Sequence, residues 1–452
     1  MKDLTAVILA AGKGTRMNST TPKVLHKVGG KPMLEYVMTA AYYAGAKKQV
    51  VVVGYQGEQV RAYVGDEVTV VEQKEQKGTA HAVLQAKDVL TDFDGTVMIL
   101  CGDTPLVNGE DLKEFFIAHE QSGAVASVFT ATMQDPTGYG RIIRDSAGNI
   151  EKIVEEKDAN AEQRAVKEVN TGIYCIDNKV LFNVIAQVGC NNAQGEFYLT
   201  DIIDILGRSE QNVGAVRAKN ADSTVGINSR RHLAQVEKIM RERTLERLMD
   251  QGVTIISPET TFIADDAQIG KDTVIHPFTY IEAGCKIGER CQIGPNVRLQ
   301  KTEIGEATVL HYSYVHEAII GNYCIIGPFA HLRPGTQLGD DVKVGNFIEV
   351  KNSWVGEGSK FPHLSYIGDA DVGQNVNIGC GCITVNYDGK KKHRTTIEDN
   401  AFIGCNSNLV APVKVGENAY VAAGSTITKN VPAESLGVAR AKQTNIDGWA
   451  KK

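Results

Sequence analysis

An aliphatic residue at every sixth position is the feature that most constrains the fold of the C-terminal half of this sequence. This spacing matches neither an α-helix, which repeats every ~3.6 residues, nor a strand, whose side chains alternate between two faces. Hexapeptide repeats build a parallel β-helix, in which short strands and turns close each triangular coil around inward-pointing aliphatic side chains. The residues form three runs: Ile263, Ile269, Ile275, Ile281, Ile287, Ile293 and Leu299; Ile320, Ile326, Leu332, Leu338, Val344 and Val350; and Ile403, Leu409, Val415, Val421 and Ile427.

Glycine often follows the aliphatic residue of the repeat, as at Gly270, Gly288 and Gly339. Because glycine reaches backbone conformations that other residues resist, we expect it to form the turns between strands. Residues 380–402 interrupt the repeat with a polar segment that contains the consecutive lysines 390–392. Such a loop suits an anionic ligand, and a solvated surface loop explains it equally well.

The N-terminal half has a different pattern, in which continuous aliphatic runs alternate with amphipathic segments. The runs at 6–10, 50–54, 68–71 and 97–103 are typical of strands buried on both faces of a mostly parallel sheet. A helical pattern at 33–45 lies between the first two of them. The sequence therefore predicts one α/β domain with helices on both faces of the sheet.

Residues 229–250 have the clearest helical pattern, with an apolar stripe that includes Leu233, Val236, Met240 and Leu248. A semi-rigid spacer between the two halves and a helix packed on the first domain both fit this pattern. We predict an α/β domain at 1–228, a helical linker at 229–251 and a β-helix domain at 252–452.

Composition narrows the class of protein and its compartment. The 452 residues, 42% hydrophobic and 23% charged, are ordinary for a globular protein of two or three domains. A net charge of -6 argues against nucleic acid or an anionic membrane as a partner. The N-terminal apolar run is too short for an integral membrane segment. Nine cysteines without a CxxC pair indicate reduced thiols in the cytoplasm rather than disulfides or a zinc site.

A glycine-rich turn follows the first predicted strand. Gly12 and Gly14 let backbone N–H groups approach phosphate oxygens closely, and Lys13, Arg16 and Lys23 add positive charge. The segment lacks the Gly-Lys-Ser/Thr of a Walker A loop and the third glycine of the dinucleotide fingerprint. The turn together with its downstream cations indicates a phosphate-binding site.

Asp103 ends the apolar run at 97–103, at the sheet edge where ligands bind in α/β folds. Beside a nucleotide it is a natural ligand for Mg²⁺, which takes one or two carboxylates together with substrate phosphates. An aspartate that caps the next helix or turn gives the same pattern, so both interpretations stay open.

Several motifs together resemble a known enzyme family. LAAGKGTRM, QKGTAHA, CGDTPL, GYGRI, VEEKDA and EVNTGIY are similar to sugar-1-phosphate nucleotidyltransferases, and HLRPG, NFIEVK, HLSYIGD, NIGCG and NYDG extend the similarity into the second half. Over nearly its whole length the chain resembles the bacterial bifunctional family of N-acetylglucosamine-1-phosphate uridyltransferases / glucosamine-1-phosphate N-acetyltransferases. The resemblance implies a Rossmann-like α/β nucleotidyltransferase domain followed by a left-handed parallel β-helix.

The resemblance also implies two consecutive reactions. The β-helix domain would acetylate glucosamine-1-phosphate with acetyl-CoA. The α/β domain would then transfer UMP from UTP to N-acetylglucosamine-1-phosphate with Mg²⁺ and release pyrophosphate. The product, UDP-N-acetylglucosamine, would supply cell-wall precursors for peptidoglycan, lipopolysaccharide or teichoic acid. By the same resemblance the protein would be a homotrimer through its β-helix, with acetyl-CoA bound between neighbouring chains.

The resemblance assigns residues to the uridylyl-transfer site. Arg16 and Lys23 would offset the charge of the phosphates during catalysis, and Asp103 and Asn228 would hold Mg²⁺. The implied nucleotide and sugar contacts are Leu9, Ala10, Ala11, Gly12, Lys23, Gln73, Gly78, Thr79, Gly140, Glu155, Asn170 and Asn228.

Acetyl transfer needs a base that works near neutral pH, and His363 occupies the family's catalytic-base position. The other implied residues are Arg333, Lys351, Tyr366 and Asn377 for the sugar phosphate, and Cys380, Asn386, Tyr387, Cys405, Ala423 and Arg440 for acetyl-CoA. Cys380 and Cys405 stand where alanine and serine are commoner in the family, which could make acetyl transfer sensitive to thiol reagents. Cys101 raises the same prospect for the other site.

Two other functions stay open at this point. The chain could be a monofunctional sugar-1-phosphate nucleotidyltransferase whose β-helix is purely structural, or a scaffold without catalysis. His363, Arg333 and the NYDG segment argue against the first alternative, and the glycine-rich turn with Asp103 argues against the second.

Overall fold

The computed structural model describes residues 2–450. Contacts divide the chain into two compact units, Met1–Met240 and Arg241–Lys452. The division falls inside the long helix Arg230–Asp250, so the domain boundaries at 228 and 251 remain a prediction. Among the described residues, no helix combines the length and the apolar character that crossing a membrane requires.

The first unit consists of helices packed on a central sheet. Its helices are α1 (Met33–Tyr43), α2 (Gly57–Val64), α3 (Thr79–Leu84), α4 (Gly109–Ser122), α5 (Ala161–Ala165), α6 (Asn178–Ile185), α7 (Asp201–Arg208) and the first half of α8 (Arg230–Asp250). Its strands are β1 (Asp3–Ala10), β2 (Lys27–Val28), β3 (Lys31–Pro32), β4 (Lys48–Val53), β5 (Thr69–Glu72), β6 (Gly95–Cys101), β7 (Ala126–Thr132), β8 (Arg141–Arg144), β9 (Ile150–Val154), β10 (Glu168–Asp177) and β11 (Val213–Arg217).

The central sheet has the strand order β11-β7-β10-β6-β1-β4-β5, and β8 and β9 extend it beside β10. Strands β6, β1, β4 and β5 pair in parallel, whereas β10 runs antiparallel to β6 and β7. Successive side chains of β1 enter different core clusters, Val7 on one face and Ile8 on the other. The continuous aliphatic runs therefore belong to strands buried on both faces, which confirms the predicted α/β domain.

The second unit is a stack of short parallel strands. It begins with β12 (Thr254–Ile255), β13 (Phe262–Ile263), β14 (Gln268–Ile269), β15 (Val274–Ile275), β16 (Tyr280–Ile281), β17 (Lys286–Ile287), β18 (Gln292–Ile293), β19 (Arg298–Gln300), β20 (Glu303–Ile304), β21 (Val309–Leu310), β22 (Tyr314–His316), β23 (Ala318–Ile320), β24 (Ile325–Ile326) and β25 (His331–Leu332). It continues with β26 (Thr336–Leu338), β27 (Lys343–Lys351), β28 (Trp354–Val355), β29 (Lys360–Gly368), β30 (Ala370–Val372), β31 (Asn377–Ile378), β32 (Ile383–Val385), β33 (Thr395–Ile397), β34 (Phe402–Ile403), β35 (Asn408–Val410), β36 (Val413–Val415), β37 (Tyr420–Val421), β38 (Thr426–Ile427) and β39 (Leu436–Gly437).

The aliphatic residues of the hexapeptide repeat form the core of this stack. Every member of the three runs is at most 8% exposed. Equivalent residues pair between coils, as Ile275 does with Ile293 and Ile293 with Leu310. Burying such a side chain contributes ~1.5–3 kcal/mol, so the repeat supplies most of the driving force for coiling. The predicted parallel β-helix is confirmed.

The glycines that follow the aliphatic residues have two roles. Gly294 (φ 100°) adopts the backbone conformation that favours glycine, as expected, whereas Gly270, Gly288 and Gly339 permit close packing. A Cβ atom at Gly270 would lie 2.6 Å from the backbone nitrogen of Glu289 in the next coil. Left-handed turn positions are held instead by residues such as Asp272 (φ 61°) and Phe278 (φ 58°). The expectation that Gly270, Gly288 and Gly339 form the turns is therefore wrong: the absent side chain lets neighbouring coils approach.

The predicted interruption of the repeat is a loop at 386–394 between β32 and β33. It lengthens one coil, so that Ile378 pairs with Ile403 rather than with a residue eighteen positions further on.

Helix α8 packs separately within each unit. Val236 lies in a small cluster of the first unit, and Leu245 and Leu248 lie in the core of the β-helix.

Candidate active sites

The carboxyl ends of β1 and β6 carry the first candidate site. The two strands pair in parallel, and the backbone N–H of Gly102 donates to the carbonyl of Leu9 at 2.9 Å. The chain then continues through Ala10, Ala11 and the exposed Gly12 into a 3-10 turn that carries the exposed Arg16. A second turn begins at Lys23. The glycine-rich segment and Asp103 therefore lie at one edge of the sheet, as predicted.

Gly14 lets the glycine-rich turn close on Lys23. Its φ angle is 57°, a left-handed conformation that favours glycine. A Cβ atom at this position would lie 2.8 Å from Cβ of Lys23. A larger residue would therefore displace the lysine from the sheet edge.

Lys23, Asp103 and Asn228 meet at this edge, although Asp103 and Asn228 lie 80 and 205 residues after Lys23. The Lys23 ammonium forms an ion pair with Asp103 and donates to Oδ1 of Asn228 at 3.0 Å. Two oxygen donors thus converge on one positive group, which is the arrangement a divalent cation needs. Among the described residues no three His, Cys, Asp or Glu side chains form a metal cluster. Substrate phosphates and water would therefore complete the coordination of a metal ion here.

Residues 73–79 carry three of the predicted nucleotide and sugar contacts, Gln73, Gly78 and Thr79. The buried side chain of Gln73 donates from Nε2 to the carbonyl of Gly78 at 3.0 Å. Gly78 has a φ angle of 114°, and a Cβ atom there would lie 2.5 Å from the carbonyl oxygen of Phe197. Thr79 Oγ1 accepts a hydrogen bond from the backbone N–H of Leu199 at 2.9 Å. The segment is therefore held in place by glycine-dependent contacts with residues 197–199.

Gly140, Glu155 and Asn170 form one group near the start of β10. A Cβ atom at Gly140 would lie 3.4 Å from Oε1 of Glu155 and 3.6 Å from Cβ of Asn170. The backbone N–H of Asn170 donates to the carbonyl of Gly140 at 2.9 Å. Burial raises the pKa of Glu155, and the Thr200 hydroxyl donates to it at 3.3 Å. The predicted sugar contacts are thus brought together around a position without a side chain.

Cys101, the last residue of β6, is half-buried at the same site. Its thiol lies 3.7 Å from the carbonyl oxygen of Gly172. Burial raises the pKa of Cys101 to about 12, so the thiolate is scarcely populated at neutral pH. A raised pKa lowers the reactivity of the Cys101 thiol, and the sensitivity of this site to thiol reagents stays a prediction.

The second candidate site lies on the outer surface of β27 and β29. His363 is exposed and stands opposite Asn346 in the neighbouring strand. Its Nδ1 lies 3.0 Å from Oδ1 of Asn346. An amide oxygen only accepts, so Nδ1 carries the proton and Nε2 keeps the free lone pair. Asn346 had no sequence signal beyond its place in NFIEVK.

Three cations lie close together beside this histidine strand. Arg333 Nη1 is 2.6 Å from Oε1 of Glu349, and Lys351 Nζ is 3.6 Å from Oδ2 of Asp369. Lys392, on the loop 386–394, lies against Lys351. A hydrogen bond and charge repulsion from Lys351 lower the pKa of Lys392, with a smaller effect from Arg333. This excess of positive charge favours an anion, so the structure selects Lys392 from the predicted lysine run.

Asp369 connects the cation group to the loop. It is 5% exposed and accepts hydrogen bonds from the side chains of Asn352 and Asn386, both at 2.5 Å. Burial alone would raise the pKa of Asp369, but these hydrogen bonds and the charges of Lys351 and Lys392 hold it below its ordinary value. Asn386 also donates to the hydroxyl of Tyr366 at 3.3 Å. Sequence reasoning missed Asp369, although it closes the HLSYIGD motif.

One column of outward positions runs through consecutive coils. His363 is paired with Asn346. The strand pairs before and after these positions place Cys380 beside His363, Cys405 beside Cys380, and Ala423 beside Cys405. Arg440 Nη1 donates to the carbonyl of Ala423 at 2.8 Å. We call the residues Asn346, His363, Cys380, Cys405 and Ala423 the catalytic column.

Two other predicted residues flank the column. Asn377 begins β31 and so comes shortly before Cys380 in the chain. The exposed Tyr387 lies on the loop 386–394. A cavity of 510 Å³ opens next to the strand of His363, and Glu349, Tyr366 and Ile383 are among its lining residues. The predicted acetyl-transfer residues His363, Cys380 and Cys405 therefore occupy neighbouring coils of one surface.

Comparisons with known proteins match both units of the chain. The nucleotidyl transferase family model matches residues 5–227, the GMPPB C-terminal domain model matches 257–359, and the bacterial transferase hexapeptide model, with six repeats, matches 394–429. The chain is 53% identical over 447 residues to the bifunctional protein GlmU of Geobacillus sp. (strain WCH70), covering 99% of this chain and 97% of that one. It is 49% identical over 452 residues to the bifunctional protein GlmU of Halalkalibacterium halodurans, covering 100% and 99% of the two chains.

A third relative agrees with this pattern. The bifunctional protein GlmU of Listeria monocytogenes serotype 4a is 48% identical over 446 residues, which cover 99% of this chain and 98% of that one. The similarity therefore covers both the α/β unit and the β-helix. The chain belongs to the bifunctional GlmU family and is both a UDP-N-acetylglucosamine diphosphorylase and a glucosamine-1-phosphate N-acetyltransferase.

Proposed function

We propose that the sheet edge of the first unit carries out uridylyl transfer and that the catalytic column of the β-helix carries out acetyl transfer. The observation that supports this most directly is the column itself. It places a histidine with a free Nε2 one coil away from the residues expected to hold acetyl-CoA. A purely structural β-helix would need no such histidine and no cluster of Arg333, Lys351 and Lys392, so the monofunctional alternative is not favoured.

At the sheet edge, the protein's main task is to align two polyanions. A phosphate oxygen of N-acetylglucosamine-1-phosphate attacks the α-phosphorus of UTP, and the bond to pyrophosphate breaks. Lys23 and Arg16 offset the repulsion between the phosphates, and the group Gly140, Glu155 and Asn170 orients the sugar. Alignment of this kind can be worth roughly 7–11 kcal/mol, so positioning outweighs acid–base catalysis here.

We propose Mg²⁺ as the divalent metal of this site, held by Asp103 and Asn228. When bound, Mg²⁺ would neutralise the phosphates of UTP and the leaving pyrophosphate. Lys23 is bonded to both of these residues, and it would then be free to bind a phosphate oxygen.

At the column, the amine of glucosamine-1-phosphate attacks the thioester carbonyl of acetyl-CoA. Nε2 of His363 takes the amine proton as the new C–N bond forms, while Asn346 accepts from Nδ1–H and stabilises the imidazolium. The C–S bond then breaks, and the imidazolium returns the proton to the CoA thiolate. Arg333, Lys351 and Lys392 hold the sugar phosphate so that the amine lies near Nε2.

We also propose that the protein is a homotrimer assembled through the β-helix. Phe329, Phe347 and Leu364 line the cavity beside Tyr366, and their side chains are 53%, 56% and 57% exposed. Large apolar side chains exposed in a row are typical of an interaction surface, and a second copy of the chain would cover them.

The nine free cysteines fit a cytoplasmic location, where thiols stay reduced.

Two assays on the full-length protein test the proposal. Acetyl transfer is measured as CoA thiol released from acetyl-CoA in the presence of glucosamine-1-phosphate. Uridylyl transfer is measured as pyrophosphate released from UTP and N-acetylglucosamine-1-phosphate with Mg²⁺. We expect both activities, and we expect sedimentation to give the mass of three chains. Pyrophosphate release without thiol release would support the monofunctional alternative instead.

A further inference from the structure

Two accessible cysteines lie on neighbouring coils within the catalytic column. Ile378 pairs with Ile403 before them and Ile383 pairs with Asn408 after them, at the same offset, so Cys380 and Cys405 lie side by side. The backbone N–H of Asn406 donates to the carbonyl of Cys380 at 2.7 Å and joins the two turns. Neighbouring strands are ~4.8 Å apart. This spacing falls within the roughly 4.4–6.8 Å between Cα atoms that a disulfide requires.

The thiol of Cys405 is directed toward the other coil. A Cβ atom at Gly379 would lie 3.0 Å from Sγ of Cys405. Because Gly379 has no side chain, nothing at this position separates the Cys405 thiol from the coil that carries Cys380. Cys405 is exposed and Cys380 is half-buried, so both thiols are accessible to a small oxidant.

The other thiols of the described chain lack this arrangement. Cys175, Cys285, Cys291, Cys324 and Cys382 are buried. Cys382 lies near both column cysteines, but it points into the core and burial raises its pKa to about 11. Cys101 and Cys190 lie in the first unit. Cys101 is half-buried and burial raises its pKa, whereas Cys190 is exposed but outside both candidate sites.

We infer that Cys380 and Cys405 form an oxidisable thiol pair, and that their conversion to a disulfide stops acetyl transfer while uridylyl transfer continues. The effect on activity rests on the proposed acetyl-CoA site. A hydroperoxide is the oxidant class. The Cys405 thiolate attacks the peroxide and becomes a sulfenic acid, and the Cys380 thiolate then displaces hydroxide to form the S–S bond. In total two thiols and one hydrogen peroxide give one disulfide and two waters.

A disulfide at this position would lie between His363 and Ala423, on the surface expected to bind the acetyl donor. The bond would draw the two turns together and change the position of any thioester held there. A displacement of about 1 Å can cost about 10²-fold in rate, so we expect a loss of that order. Uridylyl transfer uses residues of the first unit and should not change.

The experiment treats the full-length protein with hydrogen peroxide and follows both activities and the intact mass. We expect the loss of two hydrogen atoms, a peptide that joins Cys380 to Cys405, and about 10²-fold slower acetyl transfer that dithiothreitol restores. Cys380→Ala and Cys405→Ser, each compared with its own untreated sample, should resist inactivation. Cys190→Ser should remain as sensitive as the parent protein.

The outcomes separate the inference from the proposed function. Oxidation to a stable sulfenic or sulfinic acid, a different disulfide, or a Cys380–Cys405 bond with unchanged acetyl transfer would each overturn the inference. Acetyl transfer by the untreated protein reports on the proposed function independently. If the untreated protein transferred no acetyl group, the proposed function would fail, while the mass and peptide map would still read out the thiol pair.

Discussion

The two units of this protein build their sites in different ways. In the first unit, site residues from separate strand ends are joined by specific contacts, such as those of Lys23 with Asp103 and Asn228. In the β-helix, site residues occupy equivalent outward positions on consecutive coils, and strand register sets their spacing. The first site therefore depends on individual side-chain bonds, whereas the second depends on the regularity of the backbone.

This difference predicts how each site responds to change. Removing one side chain from the sheet edge should disturb its bonded partners as well, because Lys23 donates to both Asp103 and Asn228. Removing one member of the column should leave the other members in place, because the core residues beneath them keep the coil register. The following variants test this contrast.

The largest effect is expected for His363→Ala. It should lower acetyl transfer by about 10²–10⁴-fold, the usual contribution of a general base, and leave uridylyl transfer unchanged. The measurement is thiol release and pyrophosphate release on the same preparation. His316→Ala, a matched histidine of the β-helix, should keep both activities. A parallel fall of both activities in His363→Ala would show that the two sites are not independent.

The converse change is Asp103→Ala. It removes a carboxylate expected to hold the metal and leaves Lys23 without its ion pair, so uridylyl transfer should fall by about 10²–10³-fold. Acetyl transfer should remain at the parent level. Binding of Mn²⁺ in the presence of UTP should weaken as well, and Asp66→Ala, an exposed carboxylate of the same unit, serves as the control. Full Mg²⁺-dependent activity in Asp103→Ala would remove this residue from the metal site.

A smaller effect is expected at Asn346. Asn346→Ala removes one hydrogen bond to the imidazole, worth about 1 kcal/mol, and should lower kcat of acetyl transfer several-fold with little change in KM. Asn346→Asp should restore the contact and stabilise the imidazolium. The pH at which acetyl-transfer activity rises should then be about one unit higher. Identical pH profiles for the parent protein and Asn346→Asp would show that residue 346 does not contact the base.

The smallest effect concerns stability and pH at Asp369. Because its pKa is held below the ordinary value in the folded protein, its stabilisation is present above the unfolded pKa of about 3.9 and is lost as pH falls through the folded value. Asp369→Asn should therefore lower the free energy of unfolding near neutral pH by about 1–3 kcal/mol, and Tm should fall with it. At low pH the Tm of the variant should approach that of the parent protein. Thermal melts across pH are the measurement, and a constant difference at all pH values would contradict this assignment.

The hexapeptide repeat made much of the second unit predictable. Because each inward residue must stack on its equivalent, the spacing of Ile275 and Ile281 identifies the buried positions without a structure. The neighbours of His363 could not be obtained in the same way. Coils differ in length, and the loop 386–394 changes the offset between Cys380 and Cys405, so only the observed register places them together.

The first unit was predictable at the level of strands and of the glycine-rich turn. The convergence of Lys23 with Asn228 was not, because no local pattern relates residues 205 positions apart. The contacts of Gly140, Glu155 and Asn170 came from family resemblance alone, and the structure adds that they are neighbours. Asp369 had no distinct signal, since a buried carboxylate looks ordinary in sequence, and the lysine run 390–392 did not indicate which lysine meets Lys351.

The central claim is that His363 and the acetyl donor share one column of consecutive coils. A crystal structure of the full-length protein with CoA and glucosamine-1-phosphate tests it most directly. We predict the CoA sulfur beside residues 380, 405 and 423, and the sugar amine within hydrogen-bond distance of Nε2 of His363. CoA bound away from this column, or an amine out of reach of His363, would contradict the claim.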